Sequence, residues 1–146
     1  MGVIKIFDND KFEGMKQSLI DENEREYGPE IRAKHGDEAI NRSYAKVKGL
    51  TREQYAEVQS LSVEVSKALK AAFEQGDPAG ELAKKACELH KRWLCYFWDS
   101  YSEEAHLSVA RMYVDDPRFT AYYDKVAPGC AVFFWEAINA YIGAGV

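Results

Sequence analysis

The chain has 146 residues, of which 47% are hydrophobic and 29% charged, and its formal net charge is -5 at pH 7. This size fits a single domain over residues 1–146 that buries its apolar surface without disulfides or metal. Acidic charge repels phosphate backbones, and the sequence has neither an apolar run of roughly 20 residues nor a secretion signal, so we expect a cytoplasmic protein without nucleic-acid or membrane contacts.

The N-terminal segment combines one strand-like run with one predicted helix. Val3–Phe7 is the only run that looks like a strand, and a single strand cannot form a sheet. Asp10 is a suitable N-cap for the first helix, because its carboxylate can accept a hydrogen bond from the first turn. We expect this helix to end at Gly28 and Pro29, since both residues disfavour helix continuation.

Two short, mostly polar helices are predicted next, over residues 29–35 and 37–48, with Gly36 between them. Residues 8–48 as a whole carry dense charge and few large hydrophobic side chains, whereas residues 51–142 hold nearly all of the latter. A segment with little apolar surface to bury is a unit of low stability. We therefore expect residues 8–48 to behave as a mobile, lid-like arm and residues 51–142 to form an aromatic-rich core.

The first long helix is predicted to begin after Thr51. Thr51 and Gln54 form a capping box, in which each side chain accepts a hydrogen bond from the backbone N–H of the other residue. Gly76 marks the predicted end of this helix. Its apolar stripe consists of Tyr55, Val58, Leu61, Val65, Leu69, Ala72 and Phe73.

A second long helix is predicted to begin at Asp77 and to reach about Trp98. Asp77 is a suitable cap, and Pro78 favours the first helical position, where no partner is needed for its missing N–H. Its predicted apolar stripe consists of Leu82, Ala86, Leu89, Trp93, Tyr96 and Phe97. Because the joint is short, we expect the two long helices to be antiparallel.

Three further helices complete the prediction. Ser102 is the predicted N-cap of the first of them. For the second, Asp116 is the predicted N-cap and Pro117 the first helical residue, the same arrangement as at Asp77 and Pro78. The last helix, over residues 129–142, is apolar nearly all round at Ala131–Trp135, so we expect it to be buried or to face a cavity. Together these elements predict an all-α bundle of about six to seven helices.

Aromatic side chains are concentrated in the C-terminal part of the chain. Thirteen of the nineteen aromatic residues lie between His90 and Tyr141. Each ring buries a large apolar area, and this density suits either a densely filled core or a groove for an apolar ligand. Both interpretations stay open at this point, although five rings between Trp93 and Tyr101 spread over more than one helix face.

The histidines are the first candidates for catalysis or metal binding. On a helical wheel His90 lies at the rim of its stripe. It is either a polar group at a pocket edge or, as we favour, a half-buried hydrogen-bonding core residue, and the same two interpretations apply to His106. Glu103 and His106 form an ExxH pair, but a di-iron site needs a second such pair and two further glutamates. Cys87 with His90 lacks a second ligand pair. We expect neither metal nor other cofactor.

Signatures of an enzyme are missing from the sequence. There is no glycine-rich phosphate loop and no family-type serine or cysteine nucleophile motif, so we expect a protein that is not an enzyme. The three cysteines are expected to be reduced thiols packed as small hydrophobic groups. Lys84, Lys85, Lys91 and Arg92 are expected to form a solvated helix face.

The most distinctive stretch of the chain is LHKRWLCYFWDSYSEEAHLSVARMYVDDPRFTAYYDKVAPGCAVFFWEAI, Leu89 to Ile138, and within it MYVDDPRF, Met112 to Phe119. Together with KFEGMKQSLIDENEREYGPEIRAKHGDEAI and GLTREQY upstream, it resembles the TipAS antibiotic-recognition domain. The likeness extends from Lys11 to Tyr141.

This resemblance implies a globin-like helical fold without haem that binds bulky hydrophobic antibiotics such as thiopeptides in a cleft. Such a domain is usually the effector-sensing half of a MerR-type transcriptional activator, which dimerises through a coiled coil and binds DNA through a winged helix-turn-helix. Neither of these segments is recognisable in this sequence. We therefore expect either the effector domain of such an activator or a free-standing protein that sequesters a drug and confers resistance.

The resemblance also bears on the ligand. It implies that the leading helices are mobile until a ligand arrives and then close over it, which is folding coupled to binding. In some relatives a cysteine captures the antibiotic covalently, and Ser108 occupies the corresponding position here. Because a serine hydroxyl without an activating base is a weak nucleophile, we expect reversible binding.

The sequence and the resemblance together give a set of candidate ligand contacts. Burial against rings would supply affinity, and a few hydrogen bonds would set orientation. The candidate residues are His90, Trp93, Phe97, Trp98, Tyr101, His106, Tyr113, Tyr122 and Phe134. Two alternatives remain open: a haem protein with His90 as axial ligand, and a small enzyme that uses His106 and Glu103 as acid and base.

Overall fold

A computed structural model describes the backbone of residues 2–143 and the side chains of residues 12–143. Within these residues the protein is all-helical, as predicted, with seven helices and no strand. The helices are α1 (Gly2–His35), α2 (Asp37–Lys48), α3 (Arg52–Gln75), α4 (Glu81–Leu94), α5 (Glu103–Asp115), α6 (Pro117–Asp124) and α7 (Cys130–Gly143).

Helix α1 differs most from the prediction. Val3–Phe7 is helical, so its strand-like pattern was misleading, and Asp10 lies inside the helix and is not its N-cap; the Asp10 side chain is outside the described residues. Pro29 also lies inside α1. The predicted stop at Gly28 and Pro29, and the separate helix over 29–35, are therefore wrong.

An ion pair spans the part of α1 where the helix was expected to stop. Arg32 donates from Nε to Glu24 Oε1 at 2.7 Å and from Nη2 to Glu24 Oε2 at 3.1 Å. The Glu24 carboxyl group passes so close to Gly28 that a Cβ there would lie 2.7 Å from its Cδ atom. Gly28 thus accommodates the carboxylate. Helix α1 ends at His35, directly before Gly36, whose φ of +87° favours glycine.

Backbone contacts divide the chain into two units. The first comprises the residues up to Ala56 together with Tyr96–Asp99. The second comprises Glu57–Cys95 and the residues from Ser100 onward. The aromatic-rich segment is therefore shared between the units, because Tyr96–Asp99 belongs to the first.

The first unit is held by a buried lysine that the sequence analysis did not single out. Only 2% of Lys16 is exposed, and its Nζ atom donates to the carbonyl oxygens of Lys48 at 2.6 Å and Leu50 at 2.9 Å. Glu13 forms an ion pair with it at 3.2 Å. An ammonium group at this place satisfies the carbonyl of the last residue of α2 and that of a residue just beyond it, and it interacts favourably with the negative end of the helix dipole.

Helix α2 has the predicted bounds, and its last turns bind the 96–99 segment. Lys46 donates from Nζ to the carbonyl oxygen of Trp98 at 2.6 Å, and Arg42 pairs with Asp99 at 2.6 Å. Since α4 ends at Leu94, the prediction that its helix reaches Trp98 is wrong.

Helix α3 agrees with the prediction at both ends. Thr51 N donates to Gln54 Oε1 at 3.0 Å and Gln54 N donates to Thr51 Oγ1 at 3.1 Å, which confirms the capping box. Gly76, with φ of +84°, ends the helix. All stripe residues except the half-buried Phe73 are buried.

Helix α4 starts later and buries a different face than predicted. Asp77 Oδ1 accepts from Ala79 N at 3.0 Å, so the Asp-Pro pair forms a turn, and the helix begins only after Gly80. The buried residues of α4 are Ala83, Ala86, Cys87, His90 and Leu94. Leu82 of the predicted stripe is exposed.

The last three helices begin largely as predicted. Ser102 Oγ accepts from Ala105 N at 3.0 Å, and Asp116 Oδ1 accepts from Arg118 N at 2.9 Å. Helix α7 supplies much of the core of the second unit, but Val132 is 48% exposed, so the helix is not buried on every side. In the described part of the chain, no helix combines the length and apolar character needed to cross a membrane.

Candidate ligand-binding site

The second unit contains two histidines in direct contact. His90 from α4 and His106 from α5 are 1% and 0% exposed, and His90 Nδ1 lies 2.9 Å from His106 Nε2. The placement of His90 at the rim of its stripe is therefore wrong. The sequence reasoning failed because it centred the buried face of α4 on Leu89 and Trp93, whereas the structure centres it on Cys87 and His90.

A tyrosine hydroxyl extends this pair at each end. His90 Nε2 lies 3.0 Å from the hydroxyl oxygen of Tyr113, and His106 Nδ1 lies 2.7 Å from that of Tyr101. All four imidazole nitrogens thus have a hydrogen-bond partner. The result is a continuous hydrogen-bonded chain in the order Tyr101, His106, His90 and Tyr113, which we call the Tyr-His-His-Tyr chain. It is buried except at Tyr101, which is half-buried.

Burial keeps this chain uncharged at neutral pH. It lowers the pKa of His106 to about 4, with a further contribution from the positive charge of Lys91. It also lowers the pKa of His90 well below the ordinary value, and His106 adds to that effect. Burial raises the pKa of Tyr101 to about 12 and that of Tyr113 above its ordinary value. Each group is therefore neutral at pH 7, because desolvation disfavours its charged form.

Aromatic rings fill the space around the chain. Phe134, which is fully buried, meets His90 edge-on with ring centroids 4.9 Å apart, and Tyr123 packs on Tyr113 at 4.5 Å. Trp93 stacks on His90 at 5.9 Å and is half-buried. The rings of Tyr113, Tyr123 and Phe134 are therefore core residues, as the filled-core interpretation expects.

A cleft of about 550 Å³ opens beside the Tyr101 end of the Tyr-His-His-Tyr chain. It is lined by Lys91, Tyr101, Ser102, Glu103 and Tyr141. Lys91, predicted to be solvated, is half-buried, and its Nζ atom lies 4.3 Å from the centre of the Tyr101 ring. The cleft thus offers two phenol rings, one cation and one carboxylate within the second unit.

Three separate parts of the chain contribute to this cleft. Lys91 comes from the last turn of α4 and Tyr141 from the end of α7. Tyr101 and Ser102 directly precede α5, and Glu103 is its first residue. Sequence reasoning selected Tyr101 only, because no local pattern relates Lys91 to Tyr141. The one local signal in the sequence was that Tyr101 directly precedes Ser102, the predicted N-cap, which places Tyr101 next to the start of a helix.

The structure brings together six of the nine candidate ligand contacts in the second unit. These six are His90, Trp93, Tyr101, His106, Tyr113 and Phe134. Phe97 and Trp98 belong to the first unit, and Tyr122 is 51% exposed with its ring edge on Tyr123. Whether any of the nine touches a ligand stays a prediction.

The geometry weighs against the haem alternative. Both ring nitrogens of His90 are hydrogen-bonded, so neither is available to a haem iron in this arrangement. His106 likewise hydrogen-bonds through both nitrogens, to His90 and Tyr101. Among the described residues, no three His, Cys, Asp or Glu side chains are grouped to hold a metal ion.

The cysteines differ in their surroundings. Cys87 and Cys130 are buried thiols, as expected, whereas Cys95 is exposed. Burial raises the pKa of Cys87 to about 12 and that of Cys130 to about 11. Since the thiolate is the reactive form, neither buried cysteine is a good nucleophile at neutral pH.

The fold and sequence define the class of this protein. Residues 27–141 match the family described as the TipAS antibiotic-recognition domain, and the chain belongs to that family. A solved structure from Streptomyces lividans, TipAS in complex with nosiheptide, has a TM-score of 0.70 and 29% identity, covering 84% of this chain and 87% of that one. The expected globin-like helical architecture is therefore confirmed.

Several curated relatives are transcriptional regulators by name. The HTH-type transcriptional activator TipA of Streptomyces coelicolor is 31% identical over 117 residues, which are 79% of this chain and 46% of the relative. The HTH-type transcriptional regulator SkgA of Caulobacter vibrioides is 27% identical over 128 residues, 79% and 50% respectively. This chain spans about half the length of the curated relatives it matches.

Proposed function

We propose that this domain recognises bulky hydrophobic antibiotics and acts as the effector-sensing part of a MerR-type transcriptional regulator. The observation that carries the proposal is the family match over residues 27–141, supported by the similarity to a domain solved with nosiheptide bound. The proposed role in a transcriptional regulator is supported by the curated relatives TipA and SkgA, which are transcriptional regulators by name.

The proposed binding site is the cleft at Tyr101. Its volume of about 550 Å³ falls within the range of roughly 300 to 1,000 Å³ that is typical of ligand pockets. The rings of Tyr101 and Tyr141 supply apolar faces, and Lys91 supplies a cation that can contact a ring or carbonyl group of the ligand. In this proposal the buried members of the Tyr-His-His-Tyr chain, together with Phe134, position Tyr101.

A fluorescence titration with a thiopeptide such as nosiheptide tests the proposal. Trp93 stacks on His90, next to the chain that ends at Tyr101, so we expect saturable changes in tryptophan emission. We expect ligand and protein to be recovered unchanged in mass, because serine stands at position 108 and the thiols of Cys87 and Cys130 are buried. A ligand adduct on the exposed Cys95 would contradict this expectation. No emission change with any thiopeptide or other hydrophobic drug contradicts the proposal, and a chemically altered drug favours an enzyme.

A free-standing drug-sequestering protein is the second candidate. It requires the same cleft, and this chain spans about half the length of the curated relatives it matches. The reading frame upstream distinguishes the two. Codons for a helix-turn-helix support the regulator, whereas a ribosome-binding site at that place supports the sequestering protein.

A further inference from the structure

We propose that the Tyr-His-His-Tyr chain has two internal proton arrangements of opposite direction and that its two imidazoles always hold the same tautomer. When the direction changes, the chain takes up one proton from water at one end and releases one to water at the other, so that all four groups stay neutral. Tyr101 then offers the cleft either a hydrogen-bond acceptor or a donor, according to the polar group that a ligand presents. The ligand part of this inference rests on the proposed function, whereas the chain itself is a property of the ligand-free protein.

The two directions follow from counting protons. A neutral imidazole carries one N–H and one lone pair, and a phenol donates once. In the inward arrangement Tyr101 donates to His106 Nδ1, His106 Nε2–H donates to His90 Nδ1, and His90 Nε2–H donates to Tyr113. In the outward arrangement each of these three hydrogen bonds is reversed, so that Tyr113 donates to His90 and His106 Nδ1–H donates to Tyr101.

Mixed arrangements are excluded by the short contact between the rings. His90 Nδ1 and His106 Nε2 are only 2.9 Å apart. If both nitrogens carried a proton, two N–H groups would collide, and if neither did, a buried hydrogen bond would be lost. The two imidazoles must therefore hold the same tautomer: both Nε2–H in the inward arrangement and both Nδ1–H in the outward one.

The direction decides what the cleft can bind. In the inward arrangement the Tyr101 proton is used by His106, so its oxygen accepts hydrogen bonds, for example from an amide N–H. In the outward arrangement His106 donates to Tyr101, and the tyrosine proton turns to another acceptor, which an amide carbonyl of a ligand can supply. Peptide-like ligands carry both groups, and the same residue can serve either without charging a buried side chain.

Two conservative variants fix opposite directions. Tyr101→Phe removes the partner of His106 Nδ1. Because a buried N–H without an acceptor is more costly than a bare lone pair, His106 should keep its proton on Nε2, and so should His90. Tyr113→Phe removes the partner of His90 Nε2, so both histidines should become Nδ1–H.

Nitrogen-15 NMR of the imidazole rings in the ligand-free protein measures this directly. The chain has three histidines, and His35, which is exposed in α1, is the internal reference whose signal the variant His35→Gln identifies. We expect both buried rings to be Nε2–H in Tyr101→Phe and both to be Nδ1–H in Tyr113→Phe. The His35 signal should not change.

The proposal is overturned if either variant contains two different tautomers, or if only the histidine next to the substituted tyrosine responds. Should Tyr113→Phe fail to fold, Tyr101→Phe still decides, because a His90 proton on Nδ1 in that variant contradicts the chain. With nosiheptide added to the wild type, binding seen by fluorescence without any change at the four ring nitrogens refutes the ligand coupling alone. Absence of binding refutes the proposed function and leaves the ligand-free result standing.

Discussion

His90 and His106 are buried imidazoles, and burial lowers the pKa of both. Polar groups at such positions need partners, and every buried side-chain nitrogen and oxygen among the described residues has one. The histidines gain theirs from two tyrosines and from each other. The two buried histidines should therefore lower the free energy of unfolding only at acidic pH, where histidines of the unfolded chain bind protons.

The first prediction concerns this acid sensitivity. Below pH 6.5 the unfolded histidines bind protons while the folded ones stay neutral, so the free energy of unfolding should fall with decreasing pH. The loss continues towards pH 4, where His106 titrates in the folded state. Its slope should be about 1.4 kcal/mol per pH unit for each of the two histidines. Urea unfolding between pH 7 and pH 5 measures it.

The variant His35→Gln is the control for this prediction, since it leaves the buried pair intact and should keep most of the slope. His106→Gln should reduce the slope by the contribution of one histidine, about 1.4 kcal/mol per pH unit, whatever its effect on stability at pH 7. Equal stability of the wild type at pH 7 and pH 5 would show that the pair is not held neutral.

Helices α1 and α2 are joined by a buried polar contact. Lys16 donates to the carbonyls of Lys48, the last residue of α2, and of Leu50, just beyond the helix, and its ammonium lies 4.4 Å from the centre of the Phe12 ring. These contacts link α1 to the end of α2 within the first unit. A buried charge with two acceptors is a specific attachment, because no apolar side chain can replace it.

Replacing this lysine tests the attachment. Lys16→Met keeps much of the apolar stem but leaves two carbonyl groups without their donor, so the first unit should lose about 1 to 3 kcal/mol of stability. The matched control is Glu13→Gln, which removes only the exposed partner of the lysine and should cost less than about 1 kcal/mol. Urea unfolding followed by circular dichroism compares them, and equal stability of both variants would refute the account.

Local signals in the sequence predicted the helices better than the faces that they bury. The caps at Thr51, Ser102 and Asp116 were predictable, because each is formed by a side chain and a backbone group at most three residues away. The continuation of α1 past Pro29 depends on Arg32, Glu24 and the space at Gly28, which propensity rules do not consider.

The candidate site was predictable only in part, because it too depends on contacts between residues that lie far apart in the sequence. Both histidines and two tyrosines of the chain were selected for their chemistry, but their order and their contacts depend on how α4 and α5 pack. Lys16 and Lys91 carry no sequence signal that separates them from solvated lysines. Only the packed structure shows one of them buried and the other over a tyrosine ring.

At the scale of the whole molecule, the chain consists of two units with different composition. The first holds the charge-rich residues 8–48, and the second holds the Tyr-His-His-Tyr chain and the cleft. A segment with few apolar anchors opens easily. A ligand that orders such a segment binds with less affinity than its contacts alone would give, because part of the binding free energy is used to order the segment. The lid-like behaviour of residues 8–48 remains a prediction.

Amide hydrogen exchange tests that prediction. In the ligand-free protein we expect residues 8–48 to exchange faster than the buried part of α3 around Leu69, and nosiheptide should slow the exchange of residues 8–48 most. The α3 region serves as the reference within the same sample. Slow exchange of residues 8–48 before any ligand is added would show that they are not a mobile arm.

The most direct test of the binding site is a calorimetric titration with nosiheptide of the wild type and two lysine variants of α4. Lys91→Met removes the cation of the cleft, whereas Lys84→Met removes an exposed lysine of the same helix outside it. We predict saturable binding to the wild type and to Lys84→Met, and a loss of about 1 kcal/mol, roughly fivefold in affinity, for Lys91→Met. Equal affinity of all three proteins would place the ligand elsewhere, and no binding to any of them would contradict antibiotic recognition itself.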